Sequence, residues 1–158
     1  MTATTFTDSQ GRQFEAVVTL AEVSAAKSGL GLDLGDFREG GWLDKVASDY
    51  ELLGNLLWLV YQKSATQHGL TVETFPAILA GDVFDAAQTA LVEAAINFCP
   101  SPQKRAAIRK LLQSSEAAMG LLMDEANQAV ESLTPEKILE SLKRVGDTPA
   151  SSESTPAA

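Results

Sequence analysis

The strongest candidates for chemistry are His68 and Cys99, the only histidine and the only cysteine among 158 residues. A thiolate nucleophile and an imidazole base can form a catalytic pair. Cys99, however, follows an apolar helical segment and precedes Pro100, a setting typical of a buried, unreactive cysteine. His68 precedes Gly69 at a predicted helix end, where an imidazole usually contacts the last carbonyl groups. We therefore expect no catalytic residue and no cofactor, with a catalytic dyad as the alternative.

Four acidic residues in a glycine-rich segment could suggest a cation site. A calcium loop needs acids at alternate positions and a glycine at its sharp turn, and this segment lacks that spacing. Its glycines also lack the spacing of a dinucleotide fingerprint, and the chain contains no phosphate-binding loop motif. We expect a solvated loop and no metal, with ion binding as the alternative. The four acids are Asp33, Asp36, Glu39 and Asp44.

Basic side chains crowd the beginning of the longest predicted helix, at positions 104, 105, 109 and 110. The helix dipole disfavours positive charge at a helix N-terminus, so the cluster opposes local preference. Such a departure can serve a function, here the binding of an acidic surface on a partner or on a second copy. The alternative is a solvated helix face. The candidate partner-binding residues in this cluster are Lys104, Arg105 and Arg109.

Charge and composition exclude several classes of protein. The net charge is −9 and the sequence pI is about 4.5, which argues against a nucleic-acid or anionic-membrane binder. Residues 1–99 carry five basic and thirteen acidic side chains, whereas residues 100–146 carry seven and six. A single cysteine cannot form an intramolecular disulfide. Since neither a signal peptide nor a membrane-spanning run is recognisable, we expect a soluble intracellular protein.

The elements that would position these residues begin with a predicted β-hairpin over residues 5–18, around a DSQG turn. Thr19 and Glu22 have the spacing of a capping box, which predicts a helix over Leu20–Ser28. Gly29 stands where a glycine would close that helix. The chain therefore opens with a small sheet followed by a short helix.

A helix predicted over Tyr50–Gln67 has an apolar face too wide for a surface helix, so we expect it to be the central buried element. Short helices are expected around residues 42–49 and 71–79, and a longer helix over residues 83–98 ends at the CPSP sequence. The predicted fold is mainly α with a small N-terminal β-hairpin (α+β). Its compact helical domain would span residues 1–100.

The remaining chain is predicted to be a helical extension over residues 101–146 and a disordered tail over residues 147–158. One long helix is expected over residues 103–133 and a last helix over residues 134–145. Apolar residues at alternating spacings of four and three form a narrow seam typical of helix pairing. The apolar candidates for partner binding, on this seam or beside it, are Ile108, Leu112, Met119, Leu122, Met123 and Leu133.

Two blocks of the sequence resemble the tail assembly chaperones of long-tailed bacteriophages. The first is TDSQGRQFEAVVTLAEVSAAKSGLGLDLGDF, and the second runs over residues 52–100 and includes GLTVETF and LAGDVFDAAQTALVEAAINF. The resemblance implies a noncatalytic protein in the cytoplasm of the host bacterium. Its partner would be the tape measure protein, a long helical client that such chaperones coat during tail assembly. A longer frameshifted form is common in such systems.

Three other functions remain open at the level of sequence. The protein could be a structural tail component that is retained in the finished virion, an enzyme of unrecognised type, or a regulatory adaptor. For a tail assembly chaperone we expect a helical client and a possible homo-oligomer, with no nucleic acid and no membrane as partner. Detection in mature particles would favour the structural component instead.

Overall fold

The computed structural model describes residues 4–132 and 134–146, with side chains as far as Lys143. Contacts divide the chain into two compact units, Met1–Leu111 and Leu112–Ala158. The first unit thus extends past the expected boundary at residue 100 and includes the beginning of the longest helix. Leu133 and the tail predicted over residues 147–158 lie outside the described residues.

The fold is mainly helical with one two-stranded antiparallel sheet, as predicted. The helix α1 continues into a single π-helical turn over Ala26–Leu30, and a short 3₁₀ helix over Phe75–Ile78 separates α3 from α4. The elements are β1 (Thr5–Thr7), β2 (Gln13–Glu15), α1 (Leu20–Ala25), α2 (Trp42–Ala47), α3 (Tyr50–Gln67), α4 (Asp82–Phe98), α5 (Pro102–Glu131) and α6 (Pro135–Gly146).

The hairpin pairs Phe6 with Phe14, and their rings stack with centroids 4.9 Å apart. Its turn is held by the buried carboxylate of Asp8, which accepts hydrogen bonds from the backbone of Gln10 and Arg12 at 2.9 Å. Burial alone would raise the pKa of Asp8, but the hydrogen bonds and the Arg12 guanidinium together lower it. The predicted DSQG turn is therefore built around an ionised aspartate.

The central position predicted for α3 is confirmed. This helix begins after Asp49, whose side chain accepts a hydrogen bond from the backbone of Leu52 at 3.0 Å. It contacts β2, α1, the π-helical turn, α2, the 3₁₀ helix and α4. Leu56 and Leu57 at its middle are completely buried. An eighteen-residue helix with this much apolar surface is stable only where other elements cover it.

A cluster of aromatic rings joins the hairpin to α3. The rings of Tyr61 and Phe6 meet edge to face with centroids 4.9 Å apart, and the ring of Phe75 from the 3₁₀ helix lies 6.2 Å from that of Phe14 and 5.6 Å from that of Trp58. Edge-to-face and tilted arrangements of this kind are favourable beyond the area they bury. Two short strands, which would be marginal alone, are stabilised by this packing.

The end of the first helix differs from the prediction. The capping box of Thr19 and Glu22 is present. The helical segment then continues through the π-helical turn and ends at Gly31, with a left-handed φ of 67°, instead of at Gly29. The wider turn lets Leu32 be fully buried, its backbone N–H donating to the carbonyl of Ala26 at 3.1 Å. Burial of a leucine thus outweighs the simpler helix end.

The helix predicted around residues 71–79 is only the 3₁₀ helix over Phe75–Ile78. Thr71 and Thr74 form a turn first, since the backbone N–H of Thr71 donates to the hydroxyl of Thr74 at 2.8 Å. Pro76 then lacks the N–H that a longer helix would need. Among the described residues no helix combines the length and the apolar character that crossing a bilayer requires.

Candidate protein-interaction surface

Two of the basic residues at the beginning of α5 form bonds inside the first unit. The guanidinium of Arg105 donates to the carbonyl oxygen of Cys99 at 2.6 Å. Arg109 reaches Glu93 at 3.1 Å and the side-chain oxygen of Asn97 at 2.8 Å. These contacts fasten the beginning of α5 to the last turns of α4.

The contacts of Arg105 and Arg109 explain why positive charge is tolerated at the α5 N-terminus. Both guanidinium groups lie at the C-terminal end of α4, where the helix dipole favours cations. The two charges are unfavourable for the dipole of α5 but favourable for the dipole of α4. Lys104 is different, because its side chain is exposed and makes no ion pair within the described part of the chain.

The predicted seam divides into an inner and an outer part. Ile108 is buried in the first unit, with 7% of its surface exposed, and Leu112 at the beginning of the second unit is half-buried. These two residues therefore expose less of their surface than the outer part of the seam does. Met119, Leu122 and Met123 are all exposed.

Five exposed apolar residues of the second unit form a stripe along α5, which we name the apolar stripe. At 3.6 residues per turn its members fall within an arc of about 100°. Val130 belongs to it, although the sequence analysis did not name it as a candidate partner-binding residue. The four large members are 62–65% exposed. The stripe consists of Met119, Leu122, Met123, Ala126 and Val130.

Another apolar face lies on α6. Ile138, Leu139 and Leu142 are 47%, 60% and 65% exposed, and they follow each other at spacings of one and three. That spacing places them on one side of the helix. The sequence reading included this helix but assigned it no partner-binding residue. The signal that could have found it is the amphipathic pattern itself.

A groove of about 560 Å³ opens on the surface of the first unit, between the loop after Leu32 and the beginning of α5. Phe37 and the apolar residues of α5 form its floor, and charged residues form its rim. The residues that line this groove are Asp33, Gly35, Asp36, Phe37, Arg38, Lys104, Ala107, Ile108 and Leu111.

Most charges at the rim of the groove are already paired. Arg38 donates two hydrogen bonds to the carboxylate of Asp36, at 2.7 and 2.9 Å. These side-chain bonds, together with one from the Arg38 backbone, lower the pKa of Asp36 to about 2. Asp33 lies 3.6 Å from the ammonium group of Lys27. Two of the four acids considered as a cation site, Asp33 and Asp36, are thus paired with basic side chains.

His68 and Cys99 have separate partners. The Nε2 atom of His68 lies 2.9 Å from the carbonyl oxygen of Gln13, and its ring packs on Phe14 at 5.0 Å. The buried thiol of Cys99 points to the carbonyl of Ala95 at 3.9 Å. Within residues 4–132 and 134–146, no three His, Cys, Asp or Glu side chains are grouped to hold a metal ion.

The two exposed apolar surfaces of the second unit are suited to binding another protein. The apolar stripe and the apolar face of α6 offer side chains that a helix or a groove can cover, and exposed apolar patches mark such contacts. Comparison with protein-family models, curated proteins and solved structures gives no match to this chain.

Proposed function

We propose that this protein is a noncatalytic chaperone of bacteriophage tail assembly, which binds the tape measure protein in the host cytoplasm. The observation that carries the proposal is the apolar stripe on α5, whose large side chains are more than half exposed. The resemblance of residues 5–100 to tail assembly chaperones supports the same assignment.

The apolar stripe fits a long helical client. An amphipathic helix binds through anchors that recur every three or four residues, and the stripe presents such anchors along five helical positions. Covering a side chain that is now about 60% exposed contributes roughly 1–2 kcal/mol, if full burial contributes about 1.5–3 kcal/mol. The free energy from burying four such side chains exceeds the free-energy cost of association only slightly, so the binding is reversible. A chaperone that must leave its client needs binding of this kind.

Charge supports the same role. The chain carries a net charge of −9, and complexes coated with it would repel each other. Repulsion of this kind keeps a client with exposed apolar faces from aggregating before the tail tube covers it. A coat of acidic chaperones thus adds solubility beyond what shielding of the apolar residues provides.

The proposal is tested by co-expression with the tape measure protein encoded in the same genome. We expect the two proteins to copurify and the client to remain in the soluble fraction, while the client alone aggregates. A folded protein that fails to bind or solubilise this client would contradict the proposal. Detection of the protein in purified mature particles would instead support a structural tail component.

A further inference from the structure

We infer that α6 folds back onto α5 of the same chain and covers the apolar stripe when no client is bound. The client then has to displace α6 from the stripe, so the last helix controls access to the binding surface. As a control of client binding this inference rests on the proposed function, whereas the contact of α6 with the stripe can be measured on the isolated protein.

Among its described residues the second unit has no buried side chain. Every described side chain from Gln113 to Lys143 is exposed, including the large members of the apolar stripe, at 62–65%, and Leu142 on α6, at 65%. Most helices in proteins owe their stability to the packing of an apolar face against another element. Both helices of this unit therefore gain from a contact that covers their apolar faces.

The length of α6 matches the length of the apolar stripe. Met119 and Val130 are eleven residues apart, about 17 Å along the helix axis, and the twelve residues of α6 span about 18 Å. The helix α5 ends at Glu131 and α6 begins at Pro135. Connections this short usually join antiparallel neighbours. An antiparallel α6 would therefore begin beside Val130 and end beside Met119.

The charges of the two helices select α6 as the occupant of the stripe. The part of α5 in the second unit, residues 112–131, carries four acidic side chains and no basic one. The helix α6 carries three basic and two acidic side chains, a net charge of +1. Contact of α6 with the stripe thus brings opposite net charges together, whereas contact between the stripes of two copies would bring like charges together.

A contact within one chain has an advantage over any contact between chains. A short connection gives α6 an effective concentration near the stripe on the order of millimolar, well above that of a dilute client. The apparent affinity for the client then falls in proportion to the fraction of chains in which the stripe is open. Without a client, α6 would keep the apolar side chains of the stripe away from other proteins.

Disulfide cross-linking of the full chain tests the contact in the absence of any client. Ala126 lies five residues before the end of α5, and Leu139 lies four residues after the beginning of α6, so an antiparallel α6 places them at the same level. We expect the double variant Ala126→Cys and Leu139→Cys to form a disulfide within one chain under mild oxidation. The native Cys99 is buried and does not compete.

The matched control is the double variant Leu121→Cys and Leu139→Cys, since Leu121 is equally exposed but points away from the stripe. Its cross-link should form at least tenfold more slowly. All three positions are exposed, so folding is not at risk, and circular dichroism verifies it. Equal rates in the two double variants would overturn the inference. So would a cross-link that joins two chains at low protein concentration.

The effect on the client is measured with a charge on the apolar face of α6. Leu139→Asp should raise the affinity for the tape measure protein at least threefold, because α6 no longer covers the stripe. Lys137→Gln changes the net charge by the same amount on the opposite side of α6 and should bind as the wild type does. An unchanged or lower affinity of Leu139→Asp would refute the control of client binding by α6.

The two experiments separate this inference from the proposed function. A cross-link within one chain, together with no binding of the tape measure protein by any variant, would refute the proposed function and leave the contact of α6 with the stripe in place. Normal binding of the client without the cross-link would refute the contact and leave the proposed function in place.

Discussion

The phenolic hydroxyl of Tyr61 donates a hydrogen bond of 2.7 Å to the carbonyl oxygen of Ala87 and thereby joins α3 to α4 inside the core. Burial of this ring raises the pKa of Tyr61 above its ordinary value of 10.0. The folded protein therefore keeps Tyr61 protonated at a pH where the unfolded chain has begun to ionise. Alkaline pH should therefore lower stability in part through this buried phenol.

We predict that Tyr61→Phe lowers the free energy of unfolding by about 1 kcal/mol at pH 7, since one hydrogen bond in the core is lost. Above pH 10 the wild-type chain itself should lose stability, by about 1 kcal/mol between pH 10 and 11, because only its unfolded state releases the proton. The variant lacks this contribution, so its disadvantage should shrink as the pH rises. Urea unfolding at pH 7, 10 and 11 measures the difference.

Tyr50 provides the matched control for Tyr61. Its ring is 76% exposed, and Tyr50→Phe should change the free energy of unfolding little at any of the three pH values. A difference between Tyr61→Phe and wild type that stays constant from pH 7 to 11 would contradict the role assigned to the buried phenol.

Leu56 lies at the middle of α3 and is completely buried. We predict that Leu56→Asp lowers the free energy of unfolding by about 4 kcal/mol or more, because a charge without a partner enters the core. The midpoint of thermal unfolding should fall by roughly 15 °C, or the chain should fail to fold. The exposed neighbour Asn55 gives the control Asn55→Asp, which adds the same charge to the same helix and should unfold close to wild type. Equal thermal midpoints for the two variants would refute the central position of α3.

Local signals were sufficient to predict the elements that depend on neighbouring residues. The bounds of α3 follow from eighteen residues of apolar periodicity after the cap at Asp49, and the capping box of Thr19 and Glu22 is present. The DSQG turn could be predicted because Asp8 bonds to residues only two and four positions away. Short-range chemistry of this kind is visible in a single sequence.

Features that depend on distant contacts were not predicted. Whether Gly29 or Gly31 ends the first helix depends on where Leu32 is buried, which is a property of the whole core. The basic residues of α5 were assigned to a partner, yet Arg109 bonds to Glu93, sixteen positions earlier in the chain. Val130 was not predicted because the seam was drawn at a strict alternation of four and three residues. Near the C-terminal end of α5 this alternation no longer follows the exposed stripe.

Gly41 precedes α2 at a position where a side chain has no room. A Cβ atom there would lie 2.7 Å from the carbonyl oxygen of Arg38 and closer still to that of Asp36, so the loop that borders the groove would have to move. We predict that Gly41→Ala lowers the free energy of unfolding by about 1–3 kcal/mol, as overpacking usually does. Chemical denaturation measures this change.

Gly54 is the control for Gly41, because it lies within α3 and a Cβ atom there meets nothing within 4 Å. Gly54→Ala should raise the free energy of unfolding by about 0.5–1 kcal/mol, since alanine favours the helix. If Gly41→Ala is as stable as Gly54→Ala, the loop before α2 is not held as closely as its backbone contacts indicate.

Leu121 and Leu122 are adjacent on α5 but point to different sides of the helix, and both are well exposed, at 72% and 62%. Leu122 belongs to the apolar stripe, whereas Leu121 lies about 150° from its centre. We predict that Leu122→Asp weakens copurification of the tape measure protein at least tenfold, because an aspartate in the stripe would lose its water when the client binds. Leu121→Asp should bind as the wild type does.

The two aspartate variants have the same net charge and place it on the same helix, so a difference between them reports the face and not the charge. Both should show the thermal unfolding of the wild-type chain, since neither leucine is buried. Quantitative pull-down with the tape measure protein, at equal concentrations of the two folded variants, gives the comparison. Equal binding by both would show that the client does not use the stripe. Loss of binding in both would indicate a contact that surrounds α5, with the stripe as only one part of it.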